Sequence, residues 1–343
     1  MDQTRLNQIL STFPSRSIAV IGDFFLDKYL DFDPALAEIS LETNKTANQV
    51  VGIRRSPGAA GNVVSNLVAL KAGRVFAVGF TGDDGEGYDL RQALESRGCD
   101  ISNMLISKDR FTPTYLKPQD ISKPGLEGES GRFDTKNRTP LSKDLEDSLL
   151  ERLNAIVSNV DAVIIVDQAD EPNCGVITDR VRTRLCELGE IHKDIVFWTD
   201  SRHRAGLFSN VTLKCNAKEA LVAIGRPDEI QNAENLISAG TDLCHRANRP
   251  VFLTRGEDGM TVFEGNTNEH VRGVNVDGPV DPTGAGDSAT AGAVLSLASK
   301  ATSTESALIA NLVASITVQK LGQTGTASSA EVSNRLALWI RQA

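Results

Sequence analysis

The chain has 343 residues, 40% of them hydrophobic and 24% charged, and a formal net charge of −9. That length can bury the core of one large α/β domain or two modest ones, and the acidic balance argues against a broad nucleic-acid or anionic-membrane surface. Five scattered cysteines without a C-x-x-C pair and four histidines without H-E-x-x-H argue against a disulfide framework and a zinc site.

Residues 1–13 form a short amphipathic stretch without the apolar core of a signal peptide, and no run reaches membrane-spanning length. A soluble cytoplasmic protein with reduced thiols is expected, with neither nucleic acid nor membrane as partner. Short apolar runs at 17–21, 74–80, 161–166, 195–199 and 250–254 are β-branched or aromatic and bounded by turn residues, which predicts buried strands. Helical periodicity falls between them, at about 61–71, 87–97, 143–158, 176–188 and 230–246, and again at 288–298. The alternation predicts an α/β fold: a doubly wound, mostly parallel sheet with helices on both faces. Segments 30–56 and 112–138 break the rhythm. They are polar, with short β-like pieces, and are expected to be either surface loops or a small β-sheet lid inserted into a single domain spanning 1–343.

In such sheets ligands bind beyond the carboxyl ends of the strands, so chemistry is sought in the loops there. The most informative segment is Asp281-Pro282-Thr283-Gly284-Ala285-Gly286-Asp287, which opens the helix at 288–298. Unpaired backbone N–H groups in a first helical turn form an anion cradle, and Gly284 and Gly286 permit close approach. A carboxylate at Asp287 in the same turn suits phosphoryl transfer to a hydroxyl whose proton it accepts. A capped surface helix with an acid in its first turn is the plain alternative.

Asp23 and Asp27 follow the first strand and are candidates for sugar hydroxyls, Asp23 equally for turn capping. Pro57-Gly58-Ala59-Ala60-Gly61-Asn62 opens the next helix with small residues. The stretch Gly79 to Gly85 lacks G-x-G-x-x-G spacing, so it is an architectural turn and not a dinucleotide site. Asn216 and Glu219, three apart after a strand near 211–213, suit a capping box. Thr254-Arg255-Gly256-Glu257-Asp258-Gly259-Met260 reads as a glycine-containing hairpin. No Walker A sequence is present.

The heptapeptide at 281–287 resembles the D-x-T-G-A-G-D signature of the ribokinase/PfkB sugar-kinase family, and further matches run from Val20 to Thr326. The resemblance implies an ATP-dependent carbohydrate kinase, with Asp287 as base and the backbone of Gly284, Ala285 and Gly286 as anion hole. It implies sugar contacts from Asp27, Gly58 and Asn62, although Ala59 stands where the family usually has glycine. Asn216 and Glu219 match the family's N-x-x-E motif, which holds Mg²⁺ through water. Thr254, Gly256 and Gly259 match a nucleotide-binding segment, and Asn311 and Gly322 match positions flanking the adenine. Asp281 and Thr283 would help hold a monovalent cation such as K⁺. The family's lid often packs on a second subunit, which implies a homodimer.

Arg132-Phe133-Asp134, Asp167 and the stretch Lys320-Leu321-Gly322 to Thr326 are similar to the heptose-7-phosphate kinase branch. The chain departs from that branch at Gln168-Ala169-Asp170 and at Ser201-Arg202. A substrate phosphate would need cations, for which Lys117, Arg132 and Arg202 are candidates. Bifunctional members of the branch carry a nucleotidyltransferase domain, for which a chain ending at Ala343 leaves no room. The resemblance leaves two other readings, a nucleoside kinase of the same fold and a non-catalytic nucleotide-binding or scaffold protein.

Overall fold

A computed structural model describes residues 1–321 and 325–342. In chain order it contains α1 (Gln3–Thr12), β1 (Ser17–Gly22), β2 (Phe24–Ile39), β3 (Thr46–Ala59), α2 (Ala60–Ala69), β4 (Arg74–Gly82), α3 (Gly85–Glu95) and β5 (Asp100–Ser107). There follow β6 (Thr114–Asp120), β7 (Phe133–Thr135), α4 (Lys143–Val157), β8 (Ala162–Asp167), α5 (Asp179–Ile191), β9 (Val196–Ser201), β10 (Thr212–Asn216), α6 (Ala217–Ala223) and α7 (Ala233–Ala247). The chain continues through β11 (Val251–Thr254), β12 (Gly259–Glu264), β13 (Thr267–Arg272), α8 (Ala285–Ala298), α9 (Ser303–Thr317) and α10 (Ser329–Arg341). Among the described residues no helix is long and apolar enough to cross a membrane.

The first sheet runs β13-β12-β11-β10-β9-β8-β1-β4-β5; its pairs are parallel from β11 to β5, and β12 alone runs the other way, antiparallel to β11 and β13. Its centre is apolar on both faces, as a parallel strand covered by helices requires: every residue of β8 is buried, and so are Ile18 to Gly22 of β1. One core packs α1, α2, α3, α8, α9 and α10 against one face, while the other packs α4 to α7 against the opposite face. From β1 the chain moves outward to β4 and β5, and from β8 it moves the other way. The topological switch therefore lies between β1 and β8, and Asp23 N–H, donating to Val166 O at 3.0 Å, bridges the two strand ends there.

The second sheet, ordered β3-β2-β6-β7, is the lid. It differs from expectation in extent. Residues 30–56 are no irregular loop but most of a long hairpin, and the lid strand begins at Phe24, so Asp27 lies within β2 and not in a loop after β1. Register sets its faces. Asp27 pairs with Ser56 and Tyr115, and Tyr29 pairs with Arg54 and Lys117, so these six side chains share one face of the lid.

The hairpin returns to the main sheet at Ala59, the N-cap of α2, with φ 51° and ψ −118°. No L-residue adopts that conformation without strain. Ala59→Gly should stabilise the protein by about 1 kcal/mol, less the added freedom of the unfolded chain, moving the thermal midpoint up roughly 1–2 °C. An unchanged or lowered midpoint would show that the backbone here is not strained.

Candidate active site

Helix α8 is buried along its length between the first sheet and α9, and its small residues let the two helices approach closely. Its N-terminus is held from both sides. Asp281 N–H donates to Val318 O at 2.7 Å, and the Asp281 carboxylate accepts from Thr283 N–H at 3.0 Å. Gly284, at φ 77°, makes the left-handed turn into the helix. Ala285 N–H donates to Pro282 O and Ser288 N–H to Gly284 O. Among the described residues the N–H groups of Gly284, Gly286 and Asp287 have no protein acceptor, which leaves partial positive charge at the cleft.

The cleft, about 300 Å³, is lined on this side by Thr283, Gly284, Gly286 and Asp287. Asn62, in the first turn of α2, donates from Nδ2 to Asp287 Oδ2 at 3.1 Å. Burial, and then the nearby Asp200 carboxylate, push the Asp287 acid up to about 7, while Lys214 and the Asn62 bond pull the other way. A carboxylate poised there exchanges a proton readily near neutrality.

The lid closes the cleft from above. Asp27 is 6% exposed, and Lys117 Nζ lies 3.0 Å from its Oδ1 and donates to Tyr29 Oη at 3.3 Å. A Cβ on Gly58 would lie 2.6 Å from Asp27 Oδ2, so the absent side chain leaves room for the carboxylate. Arg132 stacks on Tyr115 at 4.4 Å and pairs with Asp134 at 2.6 Å, yet still lines the cleft. Arg202 lines the opposite wall, and its guanidinium has no ion-pair partner among the described residues.

Asp23 sits below the cleft with its carboxylate occupied. It accepts from Gln168, Ala169 and Val176 N–H groups at 2.8, 2.9 and 2.7 Å, which makes it the organiser of the loop after β8. Burial, followed by Asp167, pushes its acid up to about 6 against those three donors. Asp167 in turn receives the Arg204 guanidinium on both oxygens and the Ser201 hydroxyl on one. This geometry matches the turn-capping alternative for Asp23.

On the far side, Asn216 and Glu219 form a reciprocal capping box at the start of α6: Asn216 Oδ1 accepts Glu219 N–H and Glu219 Oε2 accepts Asn216 N–H, both at 2.9 Å. Glu219 also lines the cleft, and burial raises its acid above the ordinary range although Lys214 opposes this. Thr254 donates to Cys215 O at 3.4 Å, and Gly256 and Gly259 shape the turn between β11 and β12. Asn311 is buried in α9, and its amide donates to Val271 O and Arg272 O, fastening the end of β13 to the helix. Its side chain is thus committed to the fold. Gly322 lies outside the described residues.

Two charged residues of the cleft were not anticipated from sequence. Lys214, in β10, and Asp200, in β9, are paired in parallel register, and Lys214 Nζ lies 2.6 Å from Asp200 Oδ2. The available signal was strand alternation, since residues 214 and 216 of one strand share a face. A lysine two before the Asn216 motif therefore points to the same side.

The sequence matches the pfkB family carbohydrate kinase profile over residues 16–330. It is 30% identical over 310 residues to the bifunctional protein HldE of Helicobacter hepaticus, covering 90% of this chain and 61% of that protein. Against the HldE of Pelobacter propionicus it is 30% identical over 341 residues, covering 98% of this chain and 67% of that protein. The chain therefore spans about three-fifths to two-thirds of the length of these relatives. Its fold is similar to that of phosphofructokinase-2 from Escherichia coli, with TM-score 0.72, 17% identity, and 94% and 99% of the two chains covered. It is also similar to an Arabidopsis thaliana ribokinase complexed with ribose and ATP, with TM-score 0.68, 18% identity, and 94% and 98% covered. The profile match over residues 16–330 makes the chain a member of the pfkB family of carbohydrate kinases, phosphotransferases that act on a sugar hydroxyl.

Proposed function

We propose that this protein transfers the γ-phosphoryl group of ATP to a hydroxyl of a phosphorylated sugar of the heptose-phosphate type. The observation that carries this reading is the Asp287 carboxylate, bound to Asn62 and set in the same turn as unpaired N–H groups. In the reaction the bond from γ-phosphorus to the β–γ bridging oxygen breaks and a bond to the acceptor oxygen forms. The acceptor's proton passes to Asp287 Oδ and then to water. The N–H groups of Gly284, Gly286 and Asp287 stabilise charge on the migrating group. Asp27 and Asn62 orient the acceptor in line with it, and the lid sheet keeps water from competing.

Mg²⁺ fits the Asn216–Glu219 end of the cleft, because a carboxylate whose charge is disfavoured by burial gains from a cation. When bound there through water, it would neutralise the nucleotide phosphates. A K⁺ ion fits beside Asp281, a buried carboxylate with one oxygen committed to Thr283 N–H. The acceptor's own phosphate is supported by Lys117, Arg132 and Arg202, three cations lining one cleft. Exposed Leu36, Ile39, Val51 and Ile53 on the lid hairpin support a dimer that buries them against a second copy.

A panel of sugars, sugar phosphates and nucleosides, read by acceptor-dependent ADP release, tests the reading. Sugar phosphates should turn over and free sugars hardly at all. Turnover of nucleosides alone would assign the site to a nucleoside kinase, and ATP binding with no acceptor would reassign it to a nucleotide sensor.

A further inference from the structure

Asparagine is a poor choice for the middle of a buried helix: it forms helix weakly and brings two polar groups that the interior must satisfy. Asn66, within α2, sits there nonetheless. It is 0% exposed, and its Nδ2 donates to Asn62 O at 3.0 Å, the carbonyl that the helical ladder already assigns to its own N–H. Its Oδ1 finds no donor among the described residues. Spacing gives the reason. Residues four apart share a helix face, so Asn66 lies one turn below Asn62 on the side that meets α8, where Ala291 and Val294 follow Asp287 at helical spacing. An alanine at 66 would pack there without leaving an oxygen unpaired.

The residue that this bond restrains is the one that touches Asp287. Helix α2 opens from the strained Ala59 with no side-chain cap, so its first turn is not fixed in the usual way. Two side chains from the next turn fasten it instead: Ser65 Oγ donates to Gly61 O at 2.8 Å, and Asn66 Nδ2 to Asn62 O. Bonds of this kind bend a helix locally, and here they set the direction from which the Asn62 amide reaches Asp287 Oδ2 at 3.1 Å. We propose that Asn66 is a positioning residue of the phosphoryl-transfer site, which holds the Asn62 carbonyl and thereby aims the Asn62 amide at Asp287. This rests on the kinase reading above and deepens it.

The test compares Asn66→Ala and Asn66→Ser with the wild-type full chain. Both remove the unpaired oxygen, and they differ by one hydroxyl. Ser65 shows that a serine in this helix bonds the carbonyl four residues back. Asn66→Ala should lower kcat/KM for the acceptor by about 10- to 10²-fold, with the KM for ATP within about twofold of wild type. Asn66→Ser should stay within about threefold of wild type. Asp287 is faced by Asn62 from α2, Asp200 from β9, Arg202 just beyond β9 and Lys214 from β10. Of these only the Asn62 bond is disturbed, and that bond favours the charged acid. The kcat/KM profile of Asn66→Ala should therefore move to higher pH by about half a unit. The Asp287 carboxyl carbon, followed by NMR and assigned with Asp287→Asn, should titrate higher by the same amount. Adding Asn66→Ala to Asn62→Ala should cost less than about twofold more, because the residue it acts through is already gone.

Additive losses in the double variant overturn the proposal. So does an unshifted Asp287 titration, and so does an Asn66→Ser as slow as Asn66→Ala. If Asn66→Ala fails to fold while Asn66→Ser folds, the bond serves stability and the proposal also falls. If the wild type transfers phosphoryl to no acceptor, the kinase reading fails by itself, and the NMR titration still decides whether Asn66 acts on Asp287.

Discussion

Asp287→Asn is expected to fold, to bind ATP as the wild type does, and to lose phosphoryl transfer by about 10³-fold, within the range usual for a general base. Asn has the same shape and can still accept the Asn62 amide through its oxygen, so the geometry of the turn survives. What disappears is the capacity to take the acceptor's proton. The companion measurement is pH dependence. With the Asp287 acid pushed up to about 7, the base is largely protonated at pH 6, so kcat/KM should rise through neutrality and level above it. A profile flat from pH 5.5 to 8.5, or turnover in the Asn variant within tenfold of wild type, would remove Asp287 from the chemistry.

The same raised acid has a consequence for stability. A carboxyl whose folded pKa lies above its unfolded value binds its proton more tightly in the native state, so its contribution falls as pH rises from about 4 to about 7 and is constant beyond. Asp287→Asn removes that penalty. The variant should therefore match the wild type in thermal midpoint at pH 4.5 and exceed it at pH 8. The full shift would correspond to about 4 kcal/mol. The carboxylate faces the cleft and keeps partial contact with water, so about 1 kcal/mol is the expected gain. Equal midpoints at both pH values would mean the acid is not perturbed.

The legible parts of the molecule were local ones. Strands β1 and β8 are unbroken apolar runs because helices cover both their faces, and the heptapeptide at 281–287 packs cradle, turn and acid into consecutive residues. The lid hairpin showed only an imperfect alternation. Along β2, Asp27, Tyr29 and Asp31 share the cleft face while Leu26, Leu30 and Phe32 lie on the other, and Lys28, paired with Glu86, interrupts the apolar face and weakens the period-two contrast. Edge strand β5 was overlooked for a related reason, its exposed residues alternating with partly covered ones. Helix α9 carried a usable signal, the capping box of Thr302 and Glu305, that was left unused. The pairing of Lys214 with Asp200 lay beyond reach for another reason. Their partnership is made by strand order, and only the position of β9 beside β10 at the foot of α8 brings them to the anion cradle.

Asp27→Asn should reduce kcat/KM for the acceptor by about 10²- to 10³-fold while leaving the KM for ATP within about twofold. The argument starts from register: β2 brings Asp27 to the cleft face of the lid, and the bare backbone of Gly58 lets the carboxylate lie flat against β3. It pairs with Lys117 at 3.0 Å, both side chains being largely withdrawn from water. Neutralising Asp27 therefore removes a strong acceptor for sugar hydroxyls and leaves a half-withdrawn lysine without its counter-ion. Gly58→Ala reaches the same end by shape alone, since its methyl group would lie 2.6 Å from Asp27 Oδ2 and displace the carboxylate with no change of charge. The two variants should share one kinetic signature, weakened acceptor use with intact nucleotide binding. If Asp27→Asn instead weakened ATP and acceptor alike, the lid would be acting on closure of the whole cleft and Asp27 would not be a hydroxyl ligand.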